Sequence, residues 1–122
     1  MFEIDIKREF SAAHFLKGYK GNCASLHGHN WIVEAYILAD SLDEIGIAVD
    51  FRVLKKELEA IISKLDHSCL NDLSCFESQN PTSEVIAKYI YNELTTIFNS
   101  AGRKVNKVRV CESPGSGATY FE

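Results

Sequence analysis

Residues 2–14 read Phe-Glu-Ile-Asp-Ile-Lys-Arg-Glu-Phe-Ser-Ala-Ala-His, and their alternation is the strongest indication of the fold in this sequence. One phase of the alternation is apolar: Phe2, Ile4, Ile6, Phe10 and Ala12. Charged side chains fill most of the other phase, and His14 falls in phase with the apolar residues. Alternation with period two predicts a half-buried β-strand, here with a histidine at the end of its buried face.

A second alternating segment begins at His27, after a glycine-containing loop over residues 16–26. Its apolar phase carries Trp31, Val33, Ala35 and Ile37. His27 and His29 share that phase, because side chains two residues apart on a strand point to the same face. If the two segments pair, the imidazoles of His14, His27 and His29 can converge. Catalytic zinc sites keep three protein ligands and one open position, so this pattern predicts a zinc site.

Two helices and two more strands complete the predicted order ββααββ. Helical spacing of apolar residues predicts a first helix from Phe51 to Leu65, after a short extended piece at residues 47–50. A second helix begins near Asn80-Pro81-Thr82 and ends before Gly102, and strands follow at residues 105–111 and 118–121. The chain is therefore predicted to be one α+β domain, residues 1–122, with a four-stranded antiparallel sheet and two helices on one face.

Composition excludes several classes of protein. A formal net charge of −4 argues against a nucleic-acid partner, because proteins that bind nucleic acids usually carry a basic surface. No apolar run reaches the roughly 20 residues that span a bilayer, and the charged N-terminus lacks a signal-peptide pattern. None of the four cysteines forms a CxxC pair. We expect a cytoplasmic protein with reduced cysteines and no membrane partner. Open edges on long strands favour a homo-oligomer.

Three further features could carry chemistry, and each has a structural alternative. Cys23 precedes the HGH triplet by four positions, so its thiol could be a fourth zinc ligand or a base beside the metal. Asp66 and His67 follow the first helix and could form a proton relay, or simply end the helix. Glu112 continues the buried phase of its strand and could accept two hydrogen bonds from a guanine-like ring, or turn out to solvent.

The order of short motifs resembles a known family. FSAAH, CxxxHGHN, LDH followed by LND, NPTSE and a strand ending in glutamate occur in sequence over nearly the whole chain. Together they are similar to the 6-pyruvoyl-tetrahydropterin synthase superfamily, and the short spacer between Cys23 and His27 favours its 6-carboxy-5,6,7,8-tetrahydropterin synthase branch, the enzymes of queuosine biosynthesis. Relatives often carry lysine where this chain has Asn22, which leaves the source of any cation near Cys23 open.

The resemblance implies a T-fold (tunnelling fold) that assembles into an oligomer, commonly a homohexamer, with active sites between subunits. It implies Zn²⁺ on His14, His27 and His29, and catalytic roles for Cys23, Asp66 and His67. It further implies that Glu112, with Thr82 and Ser83, binds the pterin. The implied substrate is 7,8-dihydroneopterin triphosphate, and the implied products are 6-carboxy-tetrahydropterin, acetaldehyde and triphosphate. The alternatives are 6-pyruvoyl-tetrahydropterin synthase activity and a non-catalytic zinc-stabilised binding module.

Overall fold

The structure is a computed structural model that describes all residues from Met1 to Glu122. It is an α+β fold with five strands and two helices. In chain order these are β1 Phe2–His14, β2 His27–Ala39, α1 Phe51–Ile62, β3 Ser68–Cys69, α2 Ser83–Phe98, β4 Arg103–Ser113 and β5 Ser116–Phe121. The strands form one sheet in the order β3-β1-β2-β4-β5. None of the helices combines the length and the hydropathy that a membrane-spanning helix needs.

Strands β1 and β2 form the long antiparallel pair that the alternation predicts. Their register runs from Phe2 opposite Ala39 to His14 opposite His27. Along β1 the buried positions are Ile6, Phe10, Ala12 and His14, with Lys7 and Glu9 exposed between them. Because the hydrophobic period fixes the register, the histidines at the ends of both strands lie on the core side of the sheet.

Both helices pack on that same side. α1 begins after Asp50, whose side chain accepts the Arg52 N–H, and it buries Leu54, Leu58, Ile61 and Ile62. α2 begins after Thr82, whose hydroxyl oxygen accepts the Val85 N–H. Oxygen-bearing side chains at these positions satisfy N–H groups that a helix leaves unpaired. The core between sheet and helices contains 24 buried residues, including Trp31 on the central strand β2. The sheet forms one layer and the helices form the other, which confirms the predicted α+β architecture.

The sheet has one strand more than the sequence predicts, and it is mixed rather than antiparallel. Ser68 and Cys69 pair in parallel with Ala12 and Ala13. A two-residue strand carries no periodic signal, so the pattern missed it. His67 has a φ of 56°, and this left-handed residue turns the chain from the end of α1 into β3.

Element ends also differ from the prediction. α1 ends at Ile62, three residues before the predicted end at Leu65. The residues between them form turns that keep Leu65 buried, so the apolar spacing continues beyond the end of the helix. β4 and β5 are longer than predicted, and Pro114-Gly115 alone separates them. In the predicted extended piece at residues 47–50, Ala48 and Val49 form bends and Asp50 is extended. β5 and most of β1 are left as open edges of the sheet.

Candidate active site

The three histidines of the HGH triplet and of β1 converge at one end of the sheet. His14 lies opposite His27, and His29 lies opposite Ala12, so the β1–β2 register brings all three rings together. Ring centroids are 4.6 Å apart for His14 and His27, 5.1 Å for His14 and His29, and 4.8 Å for His27 and His29. One nitrogen from each ring lies within 4.8 Å of the others, so the group could hold a metal ion.

Backbone carbonyls fix which nitrogen faces the centre of the group. His14 Nδ1 donates to the Pro81 carbonyl at 2.8 Å, and His27 Nδ1 donates to the Ser25 carbonyl at 2.7 Å. A carbonyl can only accept, so each Nδ1 carries the proton and each Nε2 keeps its lone pair. Metal-binding histidines are commonly oriented in this way.

Two of the ring nitrogens are otherwise unexplained. His14 Nε2 and His29 Nε2 are buried and have no hydrogen-bond partner. Leaving a buried polar atom unpaired costs about 1–3 kcal/mol, so folded chains rarely keep two together without a ligand. Burial is the main cause that lowers the pKa of both His14 and His29. The neutral imidazole that results is the form that binds a metal, so these residues fit a divalent cation.

Glu112 lies beside the histidines on the neighbouring strand. Its carboxylate oxygens lie 3.8 Å from His14 Nε2 and 3.9 Å from His29 Nε2, both longer than a hydrogen bond. The β4–β5 ladder shifts register between Cys111 and Ser113, which is a bulge at Glu112. Glu112 keeps the phase of the buried residues Val108 and Val110, so its side chain lies on the same face of the sheet as the histidines.

A cavity of about 410 Å³ adjoins this carboxylate. Thr82 and Ser83 at the start of α2 line it together with Glu112. The remaining lining residues come from the loop after β1, from α2 and from β5: Leu16, Tyr19, Glu84, Ser116, Gly117 and Ala118. The three substrate-binding candidates of the sequence therefore share one cavity.

Cys23 lies in a short 3₁₀ helix, Asn22–Ala24, between the two histidine strands. Its thiol is half-buried, and it is not among the ligand atoms that gather at the three histidines. The Cys23 carbonyl accepts the Leu16 N–H at 2.9 Å, which folds the loop back on itself. This placement disfavours the fourth-ligand alternative.

Asp66 and His67 form a pair outside the three-histidine cluster. His67 Nδ1 lies 2.9 Å from Asp66 Oδ2, and the His67 side chain is 83% exposed. Asp66 Oδ1 accepts the Ser11 N–H at 2.8 Å. The Ser11 N–H, followed by the His67 imidazole, lowers the pKa of Asp66 and keeps it ionised. An ionised carboxylate at this distance orients the ring for proton transfer.

The pair does not face the Glu112 cavity. His67 lines an open cleft of about 390 Å³ with Ser11, Gly28, Asn30 and other residues near the end of β1, and His29 reaches this cleft as well. Within one chain, the structure brings together the metal candidates and the substrate-binding candidates. Neither Asp66 nor His67 lines the Glu112 cavity.

Two asparagines of the quoted motifs have a role near the site that was not predicted from the sequence. Asn71, from LND, donates to the Phe15 carbonyl at 2.9 Å and accepts the Phe15 N–H at 3.0 Å. Asn80, from NPTSE, makes the same pair with Lys17, with both distances 2.9 Å. Each amide therefore acts like one rung of a β-ladder and holds the segment that follows His14. Their place in the motifs was the only sign of importance in the sequence. A hydrogen bond from a side chain to distant backbone leaves no periodic pattern that would reveal the partner.

The fold and the site define a class: two-layer α+β domains whose long β-hairpin holds a three-histidine metal site. Comparison with known proteins specifies the family. The family model described as 6-pyruvoyl tetrahydropterin synthase matches residues 3–122. The chain therefore belongs to the 6-pyruvoyl tetrahydropterin synthase family, and it is a tetrahydropterin synthase-type enzyme.

Relatives and solved structures agree with this assignment. The chain is 40% identical over 124 residues to the 6-carboxy-5,6,7,8-tetrahydropterin synthase of Synechocystis, covering 95% of this chain and 92% of that protein. It is 35% identical over 126 residues to the Bacillus subtilis protein of the same name, covering 98% and 84%. The structure of Caenorhabditis elegans 6-pyruvoyl tetrahydropterin synthase matches with a TM-score of 0.86 at 27% identity, over 99% of this chain and 95% of that one.

Proposed function

We propose that this chain converts 7,8-dihydroneopterin triphosphate and water to 6-carboxy-5,6,7,8-tetrahydropterin, acetaldehyde and triphosphate, as a zinc-dependent lyase of queuosine biosynthesis in the cytoplasm. The observation that carries the proposal is the pair of buried, unpartnered Nε2 atoms on His14 and His29 beside the cavity that contains Glu112. Curated relatives that bear the 6-carboxy name support the choice of product. No external oxidant is needed, because the dihydropterin ring is reduced as the side chain is oxidised.

His14, His27 and His29 would hold the zinc ion, which when bound supplies Lewis-acid polarisation of the substrate's side-chain hydroxyls. The protein's own part at this centre is to present one nitrogen from each of the three imidazoles. Carbonyl partners set the ring orientation of His14 and His27, and Trp31 packs beneath His14 and His29 with ring centroids 4.9 and 5.1 Å away. Such support keeps the ligand geometry fixed as substrate enters.

Glu112 anchors the pterin, since an ionised carboxylate accepts two parallel hydrogen bonds from the ring's N–H and NH₂ groups. Its side chain is 37% exposed, so the carboxylate can turn from the histidines into the cavity. Thr82 and Ser83 line the same cavity and offer hydroxyl groups to the ring. Fixing the ring sets where its side chain lies, and such orientation supplies much of a catalyst's effect.

Cys23 takes a proton from the substrate side chain as a thiolate, and Asp66 with His67 moves protons to and from the departing fragment. The placement of His67 away from Glu112 within one chain favours a site completed by another subunit. The open edges of β1 and β5 provide backbone groups for such an assembly, which we propose is a homohexamer. One domain spanning residues 1–122 forms each subunit.

The second candidate is 6-pyruvoyl-tetrahydropterin synthase activity, which eliminates triphosphate and keeps the three-carbon side chain. The family description and the fold match to the Caenorhabditis elegans enzyme favour it. Both candidates use the same metal, thiol and anchor.

One incubation separates the two. Purified protein is mixed with 7,8-dihydroneopterin triphosphate, and acetaldehyde and triphosphate are assayed in parallel. Equal release of both supports the 6-carboxy reaction. Triphosphate without acetaldehyde supports the 6-pyruvoyl reaction, and release of neither rejects both. A non-catalytic binding module would bind the pterin and release nothing.

A further inference from the structure

Tyr19 has no part in the reaction outlined above, yet it is the only aromatic side chain that lines the Glu112 cavity. The rest of the lining is mostly polar, with Leu16 and Ala118 as the other apolar members. Tyr19 is 54% exposed, so a large flat residue that lines this cavity is open to water. An exposed aromatic ring on a pocket wall is a ready stacking surface.

The segment that carries Tyr19 is held firmly at its base. Asn71 and Asn80 make two-bond pairs with the backbones of Phe15 and Lys17, and the Leu16 N–H donates to Cys23. Three consecutive residues are thus tied to three different parts of the chain. Such ties reduce the freedom that a binding residue would lose when ligand binds.

Glycines set the position of the ring beyond that base. Gly18 has a φ of 83°, a left-handed conformation that turns the chain immediately before Tyr19. A Cβ added at Gly21 would lie 3.4 Å from Tyr19 Cε1, so the ring rests against the Gly21 backbone. The ring therefore has a supported orientation despite its exposure.

We propose that Tyr19 stacks on the pterin ring and is a specificity-determining residue for flat heteroaromatic substrates. This inference rests on the proposed function. Glu112 holds the edge of the ring, but hydrogen bonds at an edge leave both faces of the ring unaccounted for. Tyr19 supplies an aromatic face on the same cavity, and Asn71 and Asn80 are positioning residues that act through the segment they hold.

The test uses the full-length zinc-loaded protein and neopterin, a fluorescent pterin without phosphate, so that binding reports on the ring alone. Tyr19→Ala is expected to raise the Kd about tenfold, the usual loss when one aromatic stacking partner is removed. Tyr19→Phe is expected to restore most of that affinity, because it keeps the ring. Phe51→Ala is the matched control: Phe51 is also 54% exposed but does not line this cavity.

Asn80→Ala tests the positioning role. It is expected to weaken neopterin binding in the parent chain and to add little in the Tyr19→Ala background, since both changes act through the same contact. A purely structural role would weaken binding equally in both backgrounds. Zinc content is measured for every variant and is expected to stay at the parent level.

The proposal is overturned if Tyr19→Ala binds neopterin as the parent does, or if Tyr19→Phe loses as much affinity as Tyr19→Ala. Either result leaves the proposed function intact, because parent binding and turnover are measured separately. If the parent itself neither binds neopterin nor turns over substrate, the proposed function fails and this inference fails with it.

Discussion

Replacing Gly117 with alanine should displace the part of the β4–β5 pair that lines the cavity beside Glu112. Gly117 lies opposite Cys111 in the β4–β5 pair, next to the bulge. A Cβ at this position would lie 2.5 Å from Cys111 Sγ, and 3.1 Å from both Arg109 Nη2 and the Val110 carbonyl oxygen. Ordinary contact begins at 3.4 Å, so one of these groups must move by about 1 Å.

The cost follows from what can move. Cys111 is only 4% exposed, and the Val110 carbonyl belongs to the sheet. Overpacking of this kind costs about 1–3 kcal/mol, so the free energy of unfolding should fall by that amount. For a chain of this size the melting temperature should fall by about 4 °C per kcal/mol. Since the strain lies beside Glu112, pterin affinity should fall as well.

The assay is urea unfolding together with neopterin titration. Gly115→Ala is the matched control, because no atom lies within 4 Å of a Cβ added there, and it should change stability by less than about 0.5 kcal/mol. Adding Cys111→Ala to Gly117→Ala removes the clashing sulfur and should recover part of the loss. If Gly117→Ala is as harmless as Gly115→Ala, the packing argument for this wall is wrong.

Two further predictions concern the thiol and the histidines. Cys23→Ala should keep the parent zinc content and melting temperature and lose turnover, measured by metal analysis, thermal unfolding and the acetaldehyde assay; loss of zinc would instead make Cys23 a ligand. Burial lowers the pKa of His14 and His29 from the ordinary value of 6.5, so the unfolded chain binds protons that the folded chain does not. The stability of the metal-free protein should be full above about pH 6.5 and decline below it. Unfolding curves between pH 5 and 8 check this, and a flat profile would contradict it.

The fold was largely predictable because its long strands carry a strict period. Alternation from Phe2 to His14 and from His27 to Ile37 fixes which side of each strand is buried, and that in turn fixes the register. The phase of His14, His27 and His29 predicts that they share a face, and the β1–β2 register then brings them together. β3 was missed because two residues carry no period, and the turns after Ile62 kept an apolar spacing that imitates a helix.

The surroundings of the site were less predictable, since they depend on contacts distant in sequence. The Asn71 and Asn80 amides pair with backbone that lies 56 and 63 residues away. Residue type alone suggests a loop asparagine and does not name its partner. The close approach of Gly117 to Cys111 likewise depends on the register of β4 and β5, which the sequence did not predict. The separation of His67 from Glu112 required the folded sheet.

Metal analysis of protein prepared without chelator tests most directly our proposal that His14, His27 and His29 hold one zinc ion. The expected result is about one zinc per chain in the parent and in the control variant His67→Ala, whose altered side chain lies outside the cluster. The His27→Ala variant is expected to hold far less zinc while circular dichroism shows that it remains folded. Parent protein without zinc, or His27→Ala that keeps the parent level, would contradict the account.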